Sequence, residues 1–284
     1  MLALETTDVS GTVALCEDGR VVVCKALNSE QRSAQSLAPT IQTLLREQGW
    51  LPTDVDAVAV TIGPGSFTGL RVGVATAKMF AWAVDAEILG IDALDAVVAS
   101  LTRSDNFQIA GLTVLTVGID AQRGDAAVRN YLLLSADDGI AVHSLDEKFH
   151  VVSMKKWLGV DPDSSFADTI AADARDEFDR AAAKLPADVA EALRNVAAKD
   201  VLYAGPALRR VKNLATAYPA ARLVAEENWN PDAAGVALVA CGRVERGNVD
   251  DVWNLLPIYS RRAAAEEKAL EKQKALAAAG KPDA

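Results

Sequence analysis

The sequence predicts an α/β protein. Strand-like and helix-like runs alternate along the chain, which is the pattern of a sheet covered by helices. An acidic residue also closes an apolar run twice. Glu5 ends Leu2-Ala3-Leu4 and is followed eight residues on by Val13, and Asp120 ends Leu115-Thr116-Val117-Gly118-Ile119 and is followed eight on by Val128. The spacing is a weak internal repeat that suggests two related halves.

The first 27 residues read as strands, with Leu2-Ala3-Leu4, Thr12 to Cys16 and Val21 to Cys24 joined by an Asp18-Gly19 turn. A helix follows with Leu37, Ile41, Leu44 and Leu45 on one face. Pro39 restricts its start, since proline is tolerated only near a first turn, and Gly49 stops it. Val55 to Ile62 is a buried-strand pattern that runs into a glycine loop and an apolar helix from about Leu70 to Val84, and Ile88 to Ile91 is a further short strand. Beyond Ser104-Asp105-Asn106, a polar stretch that marks a boundary, the second half begins. Asp161-Pro162-Asp163-Ser164-Ser165 is a loop signal, and Leu185-Pro186 breaks an alanine-rich and charged region into two helical pieces. Val201 to Ala204 and Ala221 to Ala225 return to strand-like texture, and Asn230-Pro231-Asp232 starts a capped helix with proline in its first turn. The domains expected are a first half over 1–106, a second half over 107–225 with an extended helical insertion at 153–200, a helix and closing motif over 226–262, and a charged, disordered tail over 263–284.

The loop Gly63-Pro64-Gly65-Ser66-Phe67-Thr68-Gly69 is the most specific motif. A strand, a tight turn and a helix N-terminus bring backbone N–H groups together. Its spacing is one residue too long for the dinucleotide fingerprint, no Gly-Lys-Ser/Thr follows, and Pro64 stands where a hydrolase elbow needs glycine. Ser66 and Thr68 have no histidine nearby to activate them, so their hydroxyls read as caps of the following helix and the loop as a structural corner. With Leu70-Arg71, the loop resembles the signature of the TsaB (YeaZ) family. Met1 to Thr7, Val72 to Lys78, Gly118 to Asp125 and Leu256 to Arg262 resemble that family's opening strand, following helix, second-half start and closing motif.

The resemblance implies the duplicated fold of actin, sugar kinases and the large heat-shock chaperones, with ribonuclease-H-like halves. It implies a non-catalytic subunit that supports transfer of a threonylcarbamoyl group to the adenosine beside the anticodon of ANN-reading tRNAs. The partners implied are the catalytic paralogue TsaD and the small ATPase TsaE, with a homodimer when the protein is alone and tRNA touched only indirectly. Its two helices would supply the contact, which makes Leu37, Ile41, Leu44, Val72 and Met79 the candidate interface residues.

The residues themselves weigh on the rival readings. His143 and His150 form no metal-ligand pattern, and the paralogue's H-x-x-x-H pair has no histidine in the corresponding Glu30 to Leu37, so no metal site is expected and a peptidase finds no support. Glu5 and Asp120 are the carboxylates a kinase-like phosphotransferase or ATPase would place around Mg²⁺, but Glu5 departs from the family's usual Asp. Tyr203-Ala204-Gly205-Pro206-Ala207 is also a poor adenosine loop. Neither catalytic nor cofactor residues are assigned. A net charge of -10 argues against unaided nucleic-acid binding. Cys16, Cys24 and Cys241 are odd in number and lack C-x-x-C spacing, as expected of thiols in a reducing cytoplasm, and neither a membrane span nor a signal peptide is read.

Overall fold

The apolar runs assemble into two sheets. A computed structural model describes residues 1–8, 11–28, 33–137, 139–170 and 174–261, so the expected tail and Arg262 of the closing motif lie outside the described residues. In the first lobe β1 (Leu2–Glu5), β2 (Thr12–Glu17) and β3 (Arg20–Ala26) form an antiparallel meander, turned at Asp18 and Gly19, both with positive φ. After α1 (Ser33–Glu47), β4 (Ala57–Gly63) pairs parallel to β1, and after α2 (Phe67–Val84), β5 (Glu87–Asp92) pairs parallel to β4. The strand order is β3-β2-β1-β4-β5. Central β1 and β4 are buried along nearly their whole length, which is why they read as continuous apolar runs, whereas edge strand β3 alternates half-buried and exposed.

Helix α3 (Ala93–Thr102) leads to the second lobe. There β6 (Leu112–Asp120), β7 (Asp125–Ala136) and β8 (Gly139–Ser144) form another antiparallel meander, and β9 (His150–Ser153) shares the edge of β7. Then come α4 (Met154–Leu158), α5 (Phe166–Thr169), α6 (Arg175–Ala182) and α7 (Ala187–Arg194), followed by β10 (Leu202–Ala204) parallel to β6, α8 (Leu214–Ala217), and β11 (Arg222–Leu223) parallel to β10. The order β8-β7-β6-β10-β11 repeats that of the first sheet, strand for strand and with the same senses. The duplication, faint in the sequence, is explicit in the topology. Glu5 and Asp120 end the equivalent strands β1 and β6, but Val13 pairs with Leu4 whereas Val128 pairs with Gly118, so the eight-residue spacing does not mark equivalent positions.

Alternation sorts the side chains of the first sheet. Leu2, Leu4, Val58 and Val60 face α1 and α2, where Leu37, Leu44, Val74 and Ala81 complete the core. Ala3, Ala14 and Ala59 face the other way, and these small residues let α9 (Ala233–Val244) return from the second lobe and lie close on the sheet through Ala233, Ala237 and Ala240. In the second lobe Trp157, Phe166, Phe178 and Leu193, all from the 153–200 region, join Tyr131, Leu132 and Tyr203 in one core, so that region builds the lobe rather than decorating it. Arg129 of β7 bridges to Asp92 at 2.9 Å and Asp95 at 3.1 Å, and Tyr131 donates to Asp95 at 2.7 Å, tying the second sheet to the start of α3.

Three local expectations are corrected. Pro39 sits well inside α1 rather than in its first turn; the carbonyl it leaves without a donor, four residues earlier at Gln35, lies on an exposed stretch where water can serve it. Pro231 precedes its helix, and Asp232 is the cap, accepting from the Gly235 N–H at 2.7 Å. Helix α2 starts at Phe67, not Leu70, so Ser66 alone occupies the capping position and Thr68 lies within the first turn.

Candidate functional site

The C-terminal ends of β1, β4, β6 and β10 point into a cleft of about 810 Å³ between the lobes, lined by Thr7, Ser66, Thr68, Asp120, Arg209 and Arg210 among others. This is the place where the fold could hold a ligand. The glycine loop and Asp120, one of the two carboxylates a phosphotransferase would use, reach the cleft. Glu5 does not. It is fully buried, accepts hydrogen bonds from the Thr7 N–H at 2.6 Å and the Thr7 hydroxyl, and its Oε2 has no partner. Burial pushes its carboxyl up to about 7, against the opposing pull of the Thr7 hydrogen bonds. Asp120 is already paired, with Arg210 Nε 2.8 Å away, and Arg209 is held by Glu226 at 3.0 Å. Gly205 is backed against the Gly118 carbonyl, where a Cβ would collide. A sealed acid, a neutralised acid and a closed loop do not fit a magnesium–nucleotide pair.

The loop Gly63 to Gly69 joins backbones. Ser66 Oγ accepts from the Gly69 N–H at 3.3 Å, the Ser66 N–H donates to the Thr7 carbonyl at 3.0 Å, and the Thr6 hydroxyl donates to the Gly69 carbonyl at 2.9 Å. A Cβ at Gly69 would strike the Thr6 carbonyl oxygen, one at Gly73 the Thr6 hydroxyl, and one at Gly63 the Ile258 carbonyl oxygen. The spacing thus allows the N-terminus of α2 to lie directly on the end of β1, with the chain's closing segment on the far side. That segment is fastened: the Ile258 N–H donates to the Ile62 carbonyl at 2.6 Å, Tyr259 packs on Phe67 with ring centroids 4.8 Å apart, and Arg71 lies over the Phe67 ring and donates to the Tyr259 hydroxyl at 3.2 Å. Arg261 then pairs with Asp125 of the second lobe.

The outer face of α1 and α2 is the other candidate. Leu37, Ile41 and Leu44, proposed from the sequence as contact residues, are 1%, 4% and 0% exposed and belong to the core beneath the helices; of the three, Ile41 alone also lines the groove between α1 and α2. Their regular spacing marked the inward face of α1, because the strongest apolar stripe on a helix is the one its own sheet takes. Val72 is half-buried and packed against the same core. Met79 does project outward, at 63% exposure, with Trp82 at 62%, and Trp253 and Leu256 of the closing segment are 70% and 68% exposed. Lys78 Nζ donates to the Trp253 and Leu255 carbonyls, both at 3.1 Å, which pins that segment to α2. On the α1 side, a groove of about 540 Å³ opens between the helices, lined by Ala38, Gln42, Trp50, Leu51, Thr76 and Phe80. Trp253 escaped sequence reasoning, since nothing local distinguishes a tryptophan on a loop from one in a core.

His143 is exposed on β8, and His150 Nε2 is 3.7 Å from Glu177. Among the described residues no three His, Cys, Asp or Glu side chains are placed to hold a metal ion, and no helix is long and apolar enough to cross a membrane.

A family model described as TsaD, tRNA N6-adenosine threonylcarbamoyltransferase, matches residues 27–240. The tRNA threonylcarbamoyladenosine biosynthesis protein TsaB of Escherichia coli is 30% identical over 131 residues, 46% of this chain and 54% of that protein, and TsaB of Bacillus subtilis is 27% identical over 124 residues, 44% of this chain and 51% of that protein. The chain thus spans about half the length of the curated relatives it matches. A crystal structure from Pseudomonas aeruginosa, of an uncharacterized protein with similarity to the peptidase YeaZ, superposes with a TM-score of 0.62 at 22% identity, covering 92% of this chain and 98% of that one. At that identity the likeness speaks for the fold, which both sheets repeat.

Proposed function

The chain belongs to the TsaD family, on the side of its TsaB (YeaZ) members, and from that premise we propose that it is a non-catalytic scaffold of the cytoplasmic machinery that makes threonylcarbamoyladenosine in tRNA. In this reading it holds the catalytic paralogue TsaD in its active arrangement, TsaE supplies ATP hydrolysis, and tRNA is gripped by the assembly rather than by this acidic chain. The observation that carries the reading is the apolar surface at α2: Met79 and Trp82 stand exposed on the helix, and Lys78 pins to it the segment that carries exposed Trp253 and Leu256. Large exposed apolar side chains clustered on one face mark a protein contact, and aromatic residues dominate the energetics of such contacts. Support also comes from the cleft, whose acids are sealed or paired instead of poised for chemistry.

The test is co-purification with the TsaD of the same host, read alongside modification of tRNA by the reconstituted assembly. Met79→Asp and Trp82→Asp place an unpaired charge in the centre of the surface and are expected to weaken the complex about 100-fold or more while the isolated chain keeps its melting temperature. Val74→Asp, at a buried position of the same helix, is expected to unfold the protein instead. Tight binding by both surface variants would refute the proposed interface.

A further inference from the structure

Cys16 on β2 and Cys241 on α9 are 225 residues apart in sequence, yet their sulfurs lie 3.4 Å from each other. Cys16 is buried on the face of the first sheet that α9 covers, Cys241 is half-buried at the edge of that contact, and both are free thiols. Cys24, the third cysteine, is exposed on neighbouring β3. The neighbouring positions of this contact are filled by hydrocarbon side chains, among them Ala3, Ala14, Val236 and Ala237, so packing there does not call for a pair of thiols. We infer that Cys16 and Cys241 form a redox-responsive staple, which peroxide closes into a disulfide between the first sheet and the C-terminal helix.

The chemistry is a two-electron oxidation with hydrogen peroxide as the oxidant. The more accessible Cys241 thiolate attacks peroxide, takes one oxygen to become a sulfenic acid and releases hydroxide. Cys16 sulfur then attacks Cys241 sulfur; the S–S bond forms, the sulfenic oxygen leaves as hydroxide, and the Cys16 proton goes with it as water. Cys16 is placed for this second role by its 3.4 Å distance from the Cys241 sulfur; burial, with help from neighbouring Cys241, pushes its thiol up to about 12, so it stays protonated and out of the first step and loses its proton only as the sulfenic oxygen beside it leaves. The staple has a structural consequence. Arg243, two residues beyond Cys241, donates to the Gly90 carbonyl at 2.8 Å and pairs with Asp250 at 3.1 Å, so fixing α9 to β2 also fixes the root of the segment that carries Trp253 and Leu256 along α2.

Peroxide treatment of the full chain with Cys24→Ser, followed by alkylation under denaturing conditions, reads the outcome. The expected product is a monomer that has lost two hydrogens, with the peptides holding Cys16 and Cys241 cross-linked. Its melting temperature should rise by about 5 °C or more, since a disulfide spanning most of the chain restricts the unfolded state, and should fall back with reductant. The chain with native Cys24 should give the same cross-link, so the result does not depend on the substituted background. Over-oxidation of Cys241 to a sulfinic acid without cross-linking, recovery of both thiols free, or oxidation confined to Cys24 as an intermolecular dimer would each overturn the inference.

Discussion

Glu5 illustrates how a single side chain trades chemistry for structure. Its carboxyl, raised from 4.5 to about 7 by burial, takes up a proton in the folded protein at pH values where the unfolded chain has released it. Between those limits the native state binds more protons than the unfolded state, so stability falls as pH rises, and the fall is complete above pH 7. The loss attributable to this one group is about 3 kcal/mol, from a shift of this size at 1.36 kcal/mol per unit. Glu5→Gln keeps the shape and the acceptor for Thr7 but cannot ionise. Denaturant midpoints measured from pH 5 to pH 8 should therefore decline in the parent protein and stay nearly level in the variant; equal slopes would mean that Glu5 does not titrate in this range. The sequence singled out Glu5 correctly as an acid at a strand end. Whether it faced the cleft or the interior depended on Thr7, whose N–H and hydroxyl hold the carboxylate inward.

At the scale of the element, α2 carries three different demands on its faces. Gly69 and Gly73 touch the end of β1, Arg71 and Lys78 hold the closing segment, and Met79 and Trp82 stand outward. An alanine replacing glycine within an exposed helix stabilises it by about 1 kcal/mol through backbone entropy. Here the sign should reverse, because overpacking costs about 1–3 kcal/mol and the atom in the way at Gly69 is a backbone oxygen that cannot rotate aside. Gly69→Ala is expected to lower stability by up to about 2 kcal/mol net, and Gly73→Ala by less, since the Thr6 hydroxyl it meets belongs to a side chain. Urea denaturation of the two variants compares them, and a stabilised Gly69→Ala would show that α2 does not sit so closely on β1. The sequence announced the helix and its glycines; it did not say which apolar positions remained outside, for the periodicity of Leu37, Ile41 and Leu44 is the same whether a sheet or a partner covers them.

The whole molecule consists of two copies of one topology locked by a few cross-links. Arg129 lies between Asp92 and Asp95 with little solvent access, and burial pushes the Asp92 carboxyl up to about 6 even with that cation beside it. Removing the guanidinium in Arg129→Met leaves buried Asp92 unpaired beside a partly exposed Asp95, for which the expected cost is about 3 kcal/mol at pH 8. The cost should shrink toward pH 5, where Asp92 takes a proton and no longer needs a partner. Thermal melts at the two pH values test this, and an unchanged penalty would place the role of Arg129 in packing rather than charge. Together with the Arg261–Asp125 pair, the junction holds the lobes in one arrangement, as suits a protein proposed to act by presenting a surface.

By itself the sequence determined the fold class, the position of most strands and helices, and the glycine loop, because these rest on periodicity, turn chemistry and capping, which act over a few neighbouring residues. Ser66 as a cap and β4 as a buried strand were legible for that reason. Tertiary structure decided everything that depends on what arrives from far along the chain: that α9 returns to cover β2 and brings Cys241 to Cys16, that the closing segment lies on α2 and adds Trp253 to its apolar face, and that Glu5 is sealed beneath Thr7. Burial is set by the sum of distant neighbours, and a one-dimensional pattern records which residues want to be buried but not which of them the fold has room to cover.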